Sequence, residues 1–126
     1  MKKIFSLIII LLFFLGHSQD YSKLLNNVEL HHYYGENLYN KIIMADNIHL
    51  EAIDENFTIK SSMNWLNKDT LELKIIDLNV PNFPYEKGEK MLIEFIKIEN
   101  DKIYYKATVR EYHYEGYYII TKHLEK

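Results

Sequence analysis

The chain has 126 residues, a formal net charge of −3 and no cysteine. The absence of cysteine excludes disulfides, thiolate metal sites, thiol nucleophiles and a lipid anchor attached through cysteine. The acidic balance offers no clustered positive charge for phosphates, so nucleic acid is not a predicted partner.

The first eighteen residues predict a cleaved Sec-type signal peptide. Two lysines precede a run over residues 4–15 that is apolar but for one serine, and small residues stand at −3 and −1 of a cut after Ser18. As a helix this run covers about 18 Å, whereas the hydrocarbon core of a bilayer is about 30 Å thick and requires a helix of about 20 residues. We expect residues 19–126 to form one domain in the periplasm or outside the cell, without a membrane span after cleavage. Without the two leader lysines, thirteen basic residues face eighteen acidic ones, a net charge of −5.

The mature segment is predicted to consist mainly of β-strands. Turn-forming residues recur at short intervals, and several of the segments between them alternate apolar and polar residues, most clearly Phe57 to Trp65. The predicted strands cover residues 28–34, 38–45, 48–53, 57–66, 70–78, 91–99, 102–114 and 117–124.

Hairpin register provides a second argument for strands from residue 48 onward, because inward residues must face each other across a turn. We assume turns at Glu55-Asn56, 67–69 and Asn100-Asp101, and place the last turn at Glu115-Gly116. The predicted inward pairs are Ile48–Met63, Leu50–Ser61, Ala52–Ile59, Trp65–Leu71, Met63–Leu73, Ser61–Ile75, Ile98–Ile103, Ile96–Tyr105 and Leu92–Val109.

The predicted fold class is all-β, a small antiparallel sandwich or closed barrel of about eight strands. The irregular stretch 79–90, with Pro81 and Pro84, divides a five-strand block from a three-strand block. The alternative is an α+β domain with two N-terminal helices packed on a C-terminal antiparallel sheet. Two helical stripes support that alternative, one of Leu24, Leu25, Val28 and His32 and the other of Leu38, Ile42, Ala45, His49 and Ala52.

Catalytic and metal-binding motifs are absent from the sequence. It contains no nucleophile elbow, zinc-hydrolase motif, phosphate loop or dinucleotide fingerprint, which argues against an enzyme without excluding one. His31 and His32 would point to opposite faces of a strand and could not chelate one ion together. We therefore predict no metal and no cofactor. A hydrolase would require acidic, histidine or tyrosine side chains from distant strands to converge in a cleft.

Tyrosine is the most unusual feature of the composition, with eleven in the chain. On a strand over 102–114, an aromatic and basic face would carry Tyr104, Lys106, Arg110, Tyr112 and Tyr114, opposite a core face of Ile103, Tyr105, Ala107 and Val109. Such a face suits a protein, peptide or glycan ligand. The alternative is ordinary cross-strand packing, because tyrosine is a strong strand former.

Phe83 and Tyr85 form the second candidate, because they are aromatic residues in the proline-containing loop. The loop either presents them to a partner or folds them back as a lid over the core. From these features we predict a non-enzymatic exported binding module that uses the tyrosine-rich face. The alternatives are a barrel that carries a small ligand and, third, a hydrolase.

Overall fold

The computed structural model describes residues 19–54 and 56–125, and the predicted signal peptide lies outside them. Within these residues, one short helix precedes eight strands. The elements are α1 (Tyr21–Leu24), β1 (Val28–Tyr34), β2 (Asn37–Ala45), β3 (Ile48–Ile53), β4 (Phe57–Asn67), β5 (Thr70–Leu78), β6 (Lys90–Glu99), β7 (Lys102–Val109) and β8 (Tyr112–His123).

The strands form a closed antiparallel barrel in which each strand pairs with the next and β8 pairs with β1. The all-β prediction is confirmed, and of its two forms the barrel is the one adopted. The α+β alternative is wrong, because the second proposed stripe lies entirely on β2 and β3, and the first contains only the end of the four-residue α1 before it continues into β1. Two-residue turns such as Asp46-Asn47, where both residues have positive φ, favour hairpins in that part of the chain. Within the described residues, no helix is long and apolar enough to cross a membrane.

Helix α1 closes one end of the barrel. The Asp20 side chain caps the helix by accepting a hydrogen bond from the backbone N–H of Lys23, and the N–H of Tyr21 donates to the carbonyl of Lys68 at 2.8 Å. The Tyr21 ring is buried and stacks on Phe95 with 5.1 Å between centroids. The apolar core therefore fills this end of the barrel.

The predicted hairpin register is confirmed between β4 and β5. The β4–β5 pairs are Trp65 with Leu71, Met63 with Leu73 and Ser61 with Ile75, as predicted.

The β3–β4 prediction is wrong. Ile53 pairs with Phe57, so three residues lie in the loop instead of two. Since side chains alternate along a strand, this one-residue shift turns His49 and Glu51 inward in place of Ile48, Leu50 and Ala52.

The β6–β7 hairpin keeps its predicted turn and loses its register farther along. Ile98 pairs with Ile103, as predicted. A bulge between Phe95 and Lys97 then places Phe95, and not Ile96, opposite Tyr105. Ile96 is left half exposed on the outer wall. Beyond the bulge, Leu92 pairs with Thr108 instead of the predicted Val109.

The predicted strand over 102–114 is wrong at its C-terminal end. The chain turns at Arg110 and Glu111, where Arg110 has a φ of +54°, and β8 begins at Tyr112. Gly116, predicted to lie in the turn, lies within β8 opposite Tyr105. The predicted core face of Ile103, Tyr105, Ala107 and Val109 is confirmed, and all four side chains are buried.

Candidate functional site

A cavity of about 260 Å³ lies inside the barrel at the end opposite α1. Its walls include inward side chains of all eight strands and part of the loop between β5 and β6. Most of the lining is aromatic or aliphatic, and a small group of polar side chains interrupts it. The polar or ionisable residues of the lining are His32, Tyr34, Tyr39, His49, Glu51, Ser61, Tyr85, Glu89, Lys90, Tyr105, Tyr114 and Tyr118.

A chain of hydrogen bonds crosses the barrel interior from β7 to β3. The Tyr105 hydroxyl contacts Nε2 of His32, and Nδ1 of His32 lies 2.9 Å from Oδ1 of Asn40. The Asn40 amide then donates from Nδ2 to Oε2 of Glu51 at 2.6 Å. With its proton on Nδ1, neutral His32 donates to Asn40 and accepts from Tyr105, which satisfies every group in the chain.

His49 lies beside this chain without joining it. Its side chain is 1% exposed, and neither ring nitrogen has a hydrogen-bond partner within the part of the chain that the structure describes. Its Nδ1 lies 3.8 Å from Oε1 of Glu51, which is too long for a hydrogen bond. A buried polar group left without a partner costs about 1–3 kcal/mol, so His49 is a destabilising feature of the interior.

Burial shifts the pKa of each ionisable group in this cluster toward its neutral form. Burial lowers the pKa of His32 to about 4 and that of His49 to about 3, and the nearby His32 adds to the effect on His49. Burial raises the pKa of Glu51 to about 7, although the Asn40 amide opposes the shift. The 3.8 Å approach of His49 to Glu51 meets the distance of an ion pair, but at neutral pH the imidazole carries no charge.

Aromatic rings surround His32 on several sides. The rings of Tyr34, Tyr39 and Tyr118 have centroids 4.8, 5.7 and 4.9 Å from that of His32, and Tyr105 stacks on Tyr118 at 4.7 Å. Tyr39 is an extra residue of β2 at a bulge, because His32 pairs with Asn40 while Tyr33 pairs with Leu38. The bulge allows Tyr39 to line the cavity next to Tyr34.

The loop between β5 and β6 folds its aromatic residues toward the barrel, as the lid alternative predicts. Phe83 and Tyr85 line the cavity, and the Tyr85 hydroxyl lies 2.5 Å from that of Tyr114. Arg110 lies over the Tyr85 ring, with 5.4 Å to its centroid, and pairs with the carboxylate of Glu89. The lid is thus attached to the hairpin formed by β7 and β8.

The backbone also fixes this loop at both ends. The N–H of Thr58 donates to Oδ1 of Asn79 at 2.8 Å, and the N–H of Gly88 donates to the carbonyl of Ile75 at 2.8 Å. The N–H of Ile75 in turn donates to the carbonyl of Glu89 at 3.0 Å. These bonds hold the loop against β4 and β5 on the cavity end of the barrel.

The seven predicted site residues do not share one face. Tyr114, Phe83 and Tyr85 line the cavity, whereas Arg110 and Tyr112 lie at its rim. The other two, Tyr104 and Lys106, lie on the outer wall. The single face predicted for strand 102–114 is therefore wrong. Tyr112 and Tyr114 belong to β8, and the turn before β8 changes the side of the sheet to which they point.

On the outer wall the predicted residues make ordinary cross-strand contacts. Nζ of Lys97 lies 5.1 Å from the centroid of the Tyr104 ring, and Nζ of Lys106 lies 3.9 Å from the Glu115 carboxylate. Tyr104 also contacts Tyr117, with 5.6 Å between the centroids. The outer rings are thus packed against their own neighbours.

Sequence reasoning missed the inward positions of His49 and Glu51. A usable signal was the Asp46-Asn47 turn, because it pairs Met44 with His49 and thereby sets the register of β3. Met44 is apolar enough to be placed in the interior with its partner. The alternation of apolar residues along β3 instead predicted that Ile48, Leu50 and Ala52 point inward.

The site contains residue types used in acid–base chemistry without a catalytic arrangement of them. Ser61 pairs across the sheet with His49, two residues from Glu51, but the His49 nitrogens bond to neither. A nucleophile and its base require hydrogen-bond reach. Among residues 19–54 and 56–125, no group of three or more His, Asp or Glu side chains could hold a metal ion.

The chain matches no protein-family model, no curated protein and no solved structure. The site therefore has to be interpreted from its own geometry.

Proposed function

We propose that this protein binds one small molecule inside its barrel. The cavity of about 260 Å³ carries the proposal, because it combines an apolar and aromatic lining with a few convergent polar groups. Ligand sites have this composition, in which the apolar wall supplies affinity and the polar groups fix orientation. An eight-stranded barrel is also just wide enough to enclose one small ligand.

Cavity size limits the ligand to a small organic molecule. An engineered protein cavity of about 150 Å³ holds one benzene molecule, so 260 Å³ accommodates a ring with a short substituent. The polar chain from Tyr105 to Glu51 gives such a ligand a preferred end. We propose that the substituent meets this chain while the ring fills the apolar part.

We further propose that the carrier acts in the periplasm or outside the cell. The support is the basic and apolar leader over residues 1–18, with small residues before Ser18. An exported domain without cysteine depends on its core for stability, and the buried apolar side chains at the α1 end of the barrel form such a core.

Native mass spectrometry of protein purified from its own host tests both proposals. We expect the wild-type spectrum to show residues 19–126 plus the mass of a ligand. Ile75 lines the cavity, so an Ile75→Trp side chain fills it and the added mass should fall at least tenfold in abundance. The neighbouring Ile76 points outward and is 40% exposed, which makes Ile76→Trp the matched control.

A bare protein mass in the wild type, together with no binding by added small aromatic probes, would contradict the carrier function. Equal ligand occupancy in the Ile75→Trp and Ile76→Trp variants would locate binding outside the barrel. A mass that includes residues 1–18 would contradict cleavage of the leader.

A second candidate function uses the outer wall near β7 and β8 to bind a protein, peptide or glycan. A specific observation favours it, since the rings of Tyr33, Tyr117 and Tyr104 form a continuous row with centroid distances of 5.1 and 5.6 Å. Lys102 lies over the Tyr117 ring at 4.9 Å. Aromatic rows bordered by lysine are suited to stacking on sugars or apolar side chains.

For the outer wall we expect Tyr104→Ala to weaken binding about tenfold on a glycan array or in a competitive pull-down, because the row loses one of its two end rings. Tyr112→Ala, at the exposed rim, is the second variant. Unchanged binding in both would show that neither surface is the binding face.

A further inference from the structure

The cavity contains one acid without a cationic partner. Glu51 lines the cavity and its side chain keeps 22% of its exposure there. His49 lies 3.8 Å from the Glu51 carboxylate and is neutral, because burial lowers its pKa to about 3. The hydrogen bond that Glu51 accepts from Asn40 comes from a neutral amide, so it does not compensate the charge of the Glu51 carboxylate.

The basic side chains near the cavity mouth are already paired elsewhere. Lys90 is 60% exposed and lies 3.8 Å from the Glu72 carboxylate, and Arg110 pairs with Glu89. Neither reaches Glu51 by any contact that the structure describes. A buried carboxylate without a counterion is costly, and a cationic ligand would remove that cost by pairing with it.

Two tyrosine rings, those of Tyr34 and Tyr39, line the same cavity as Glu51. Tyr34 and Tyr39 stand nearly perpendicular, at 81°, with 4.9 Å between their centroids. Tyr39 directly precedes Asn40 on β2, and the Asn40 amide donates to the Glu51 carboxylate at 2.6 Å, which places Glu51 near this part of β2. Tyr34 is half-buried and Tyr39 is 50% exposed, and the faces of both rings attract an ammonium group through their negative quadrupole.

We propose that the barrel ligand is a small organic amine whose ammonium group pairs with Glu51 beside the Tyr34 and Tyr39 rings. This inference rests on the proposed carrier function and names the ligand class. The apolar body of the amine occupies the part of the cavity lined by Ile59, Leu73 and Ile75. The Tyr39 bulge on β2 places the second ring at the site.

Protonation of Glu51 controls the affinity for an amine, because only the carboxylate pairs with an ammonium group. The titratable groups that act on Glu51 or neighbour it are His49 on its own strand, Tyr34 and His32 on β1, Tyr39 on β2, Tyr105 on β7 and Tyr118 on β8. The tyrosine pKa values are raised, chiefly by burial, and both histidines stay neutral from pH 6 to 8. Glu51, with a pKa of about 7, is therefore the group that changes charge in that range.

Isothermal titration with three probes of matched size tests the ligand class. The probes are phenethylamine, 2-phenylethanol and phenylacetate, which are cationic, neutral and anionic at pH 8. We expect phenethylamine to bind at least tenfold more tightly than 2-phenylethanol, and phenylacetate to bind most weakly. The Glu51→Gln variant keeps an acceptor for the Asn40 amide, and it should bind the amine and the alcohol equally.

The pH dependence of the wild type gives a second measurement that does not require the variant to fold. Between pH 6 and pH 8 the ionised fraction of a group with a pKa of about 7 rises about tenfold, so amine affinity should rise about tenfold. Affinity for 2-phenylethanol should stay constant. Far-UV dichroism and thermal unfolding are the controls that check whether Glu51→Gln retains the barrel.

Three further outcomes contradict the inference in different ways. Equal binding of alcohol and amine by the wild type, abolished by Ile75→Trp, would keep the carrier function and overturn the amine. Preference for phenylacetate would do the same. No binding of any probe, with no co-purified ligand, would overturn the carrier function and the amine together.

Discussion

Replacing Gly116 by valine should lower the free energy of unfolding by about 3 kcal/mol, even though valine is a better strand former than glycine. A Cβ at this position would lie 2.6 Å from the Tyr33 carbonyl oxygen and 2.9 Å from the Tyr105 hydroxyl. The first contact is with backbone of β1, which cannot move without disturbing its pairing with β8. The second displaces the hydroxyl that bonds to His32.

Urea unfolding of matched variants measures this effect. Gly116→Ala introduces the same Cβ with fewer atoms, so its loss should be smaller, about 1–2 kcal/mol. The control is Glu115→Val on the outer face of the same strand, where the side chain is 74% exposed and a change within about 0.5 kcal/mol is expected. Equal stability of Gly116→Val and Glu115→Val would show that no close contact exists at Gly116.

Gly116 also shows where turn chemistry misleads. Its sequence signal, a glycine after a glutamate, is typical of a hairpin turn, and the sequence contains no glycine at the actual turn. The chain instead turns with Arg110 in the left-handed region, which non-glycine residues seldom adopt. Glycine is needed in β8 because the Tyr105 ring crosses it, a three-strand contact that only the closed barrel creates.

The register of β3 was unpredictable by pattern for a related reason. Ile48, Leu50 and Ala52 form the more apolar face, and the rule that apolar residues point inward places them in the core. The barrel instead turns His49 and Glu51 inward, because the Asp46-Asn47 turn pairs His49 with the buried Met44. Residues that violate the local pattern are expected at functional sites.

Other parts of the fold follow from local signals alone. The strand segments, the Asn100-Asp101 turn and the inward face of β7 depend on alternation and turn residues within a short stretch of chain. Closure of β8 on β1 and the cavity volume depend on strand number, bulges and the way distant side chains fill space. The hydrophobic periodicity and the residue propensities of one sequence do not determine whether the barrel closes or how large its cavity is.

Replacing His49 by leucine should raise the free energy of unfolding at pH 7 by about 1–2 kcal/mol. Leucine has similar volume and no polar atoms, so the variant removes two buried ring nitrogens that have no hydrogen-bond partner within the described residues. Leaving a polar group unsatisfied costs about 1–3 kcal/mol, and incomplete repacking of the leucine reduces the gain. Chemical unfolding at pH 7 measures the difference.

The same variant should change how stability depends on pH. Both interior histidines have a folded pKa below the ordinary 6.5, because burial disfavours their charged form. Stability with respect to these two groups is therefore greatest above pH 6.5 and is lost as pH falls toward about 4 for His32 and about 3 for His49. Glu51 acts in the opposite sense. Its folded pKa of about 7 exceeds the ordinary 4.5, so its contribution is complete below pH 4.5 and is lost as pH rises through 7.

Between pH 5 and 6 the wild-type protein therefore binds, on unfolding, two protons at the histidines and releases one at Glu51. Its stability should fall by about 1 kcal/mol for each unit that the pH falls in this range. In His49→Leu, the remaining His32 and Glu51 cancel, and stability should be nearly constant from pH 5 to 6. The control is His113→Leu, an exposed position on the outer wall of β8 that leaves the interior charges unchanged and should keep the wild-type slope. If His49→Leu kept that slope as well, proton uptake by His49 on unfolding would not contribute to the pH dependence between pH 5 and 6.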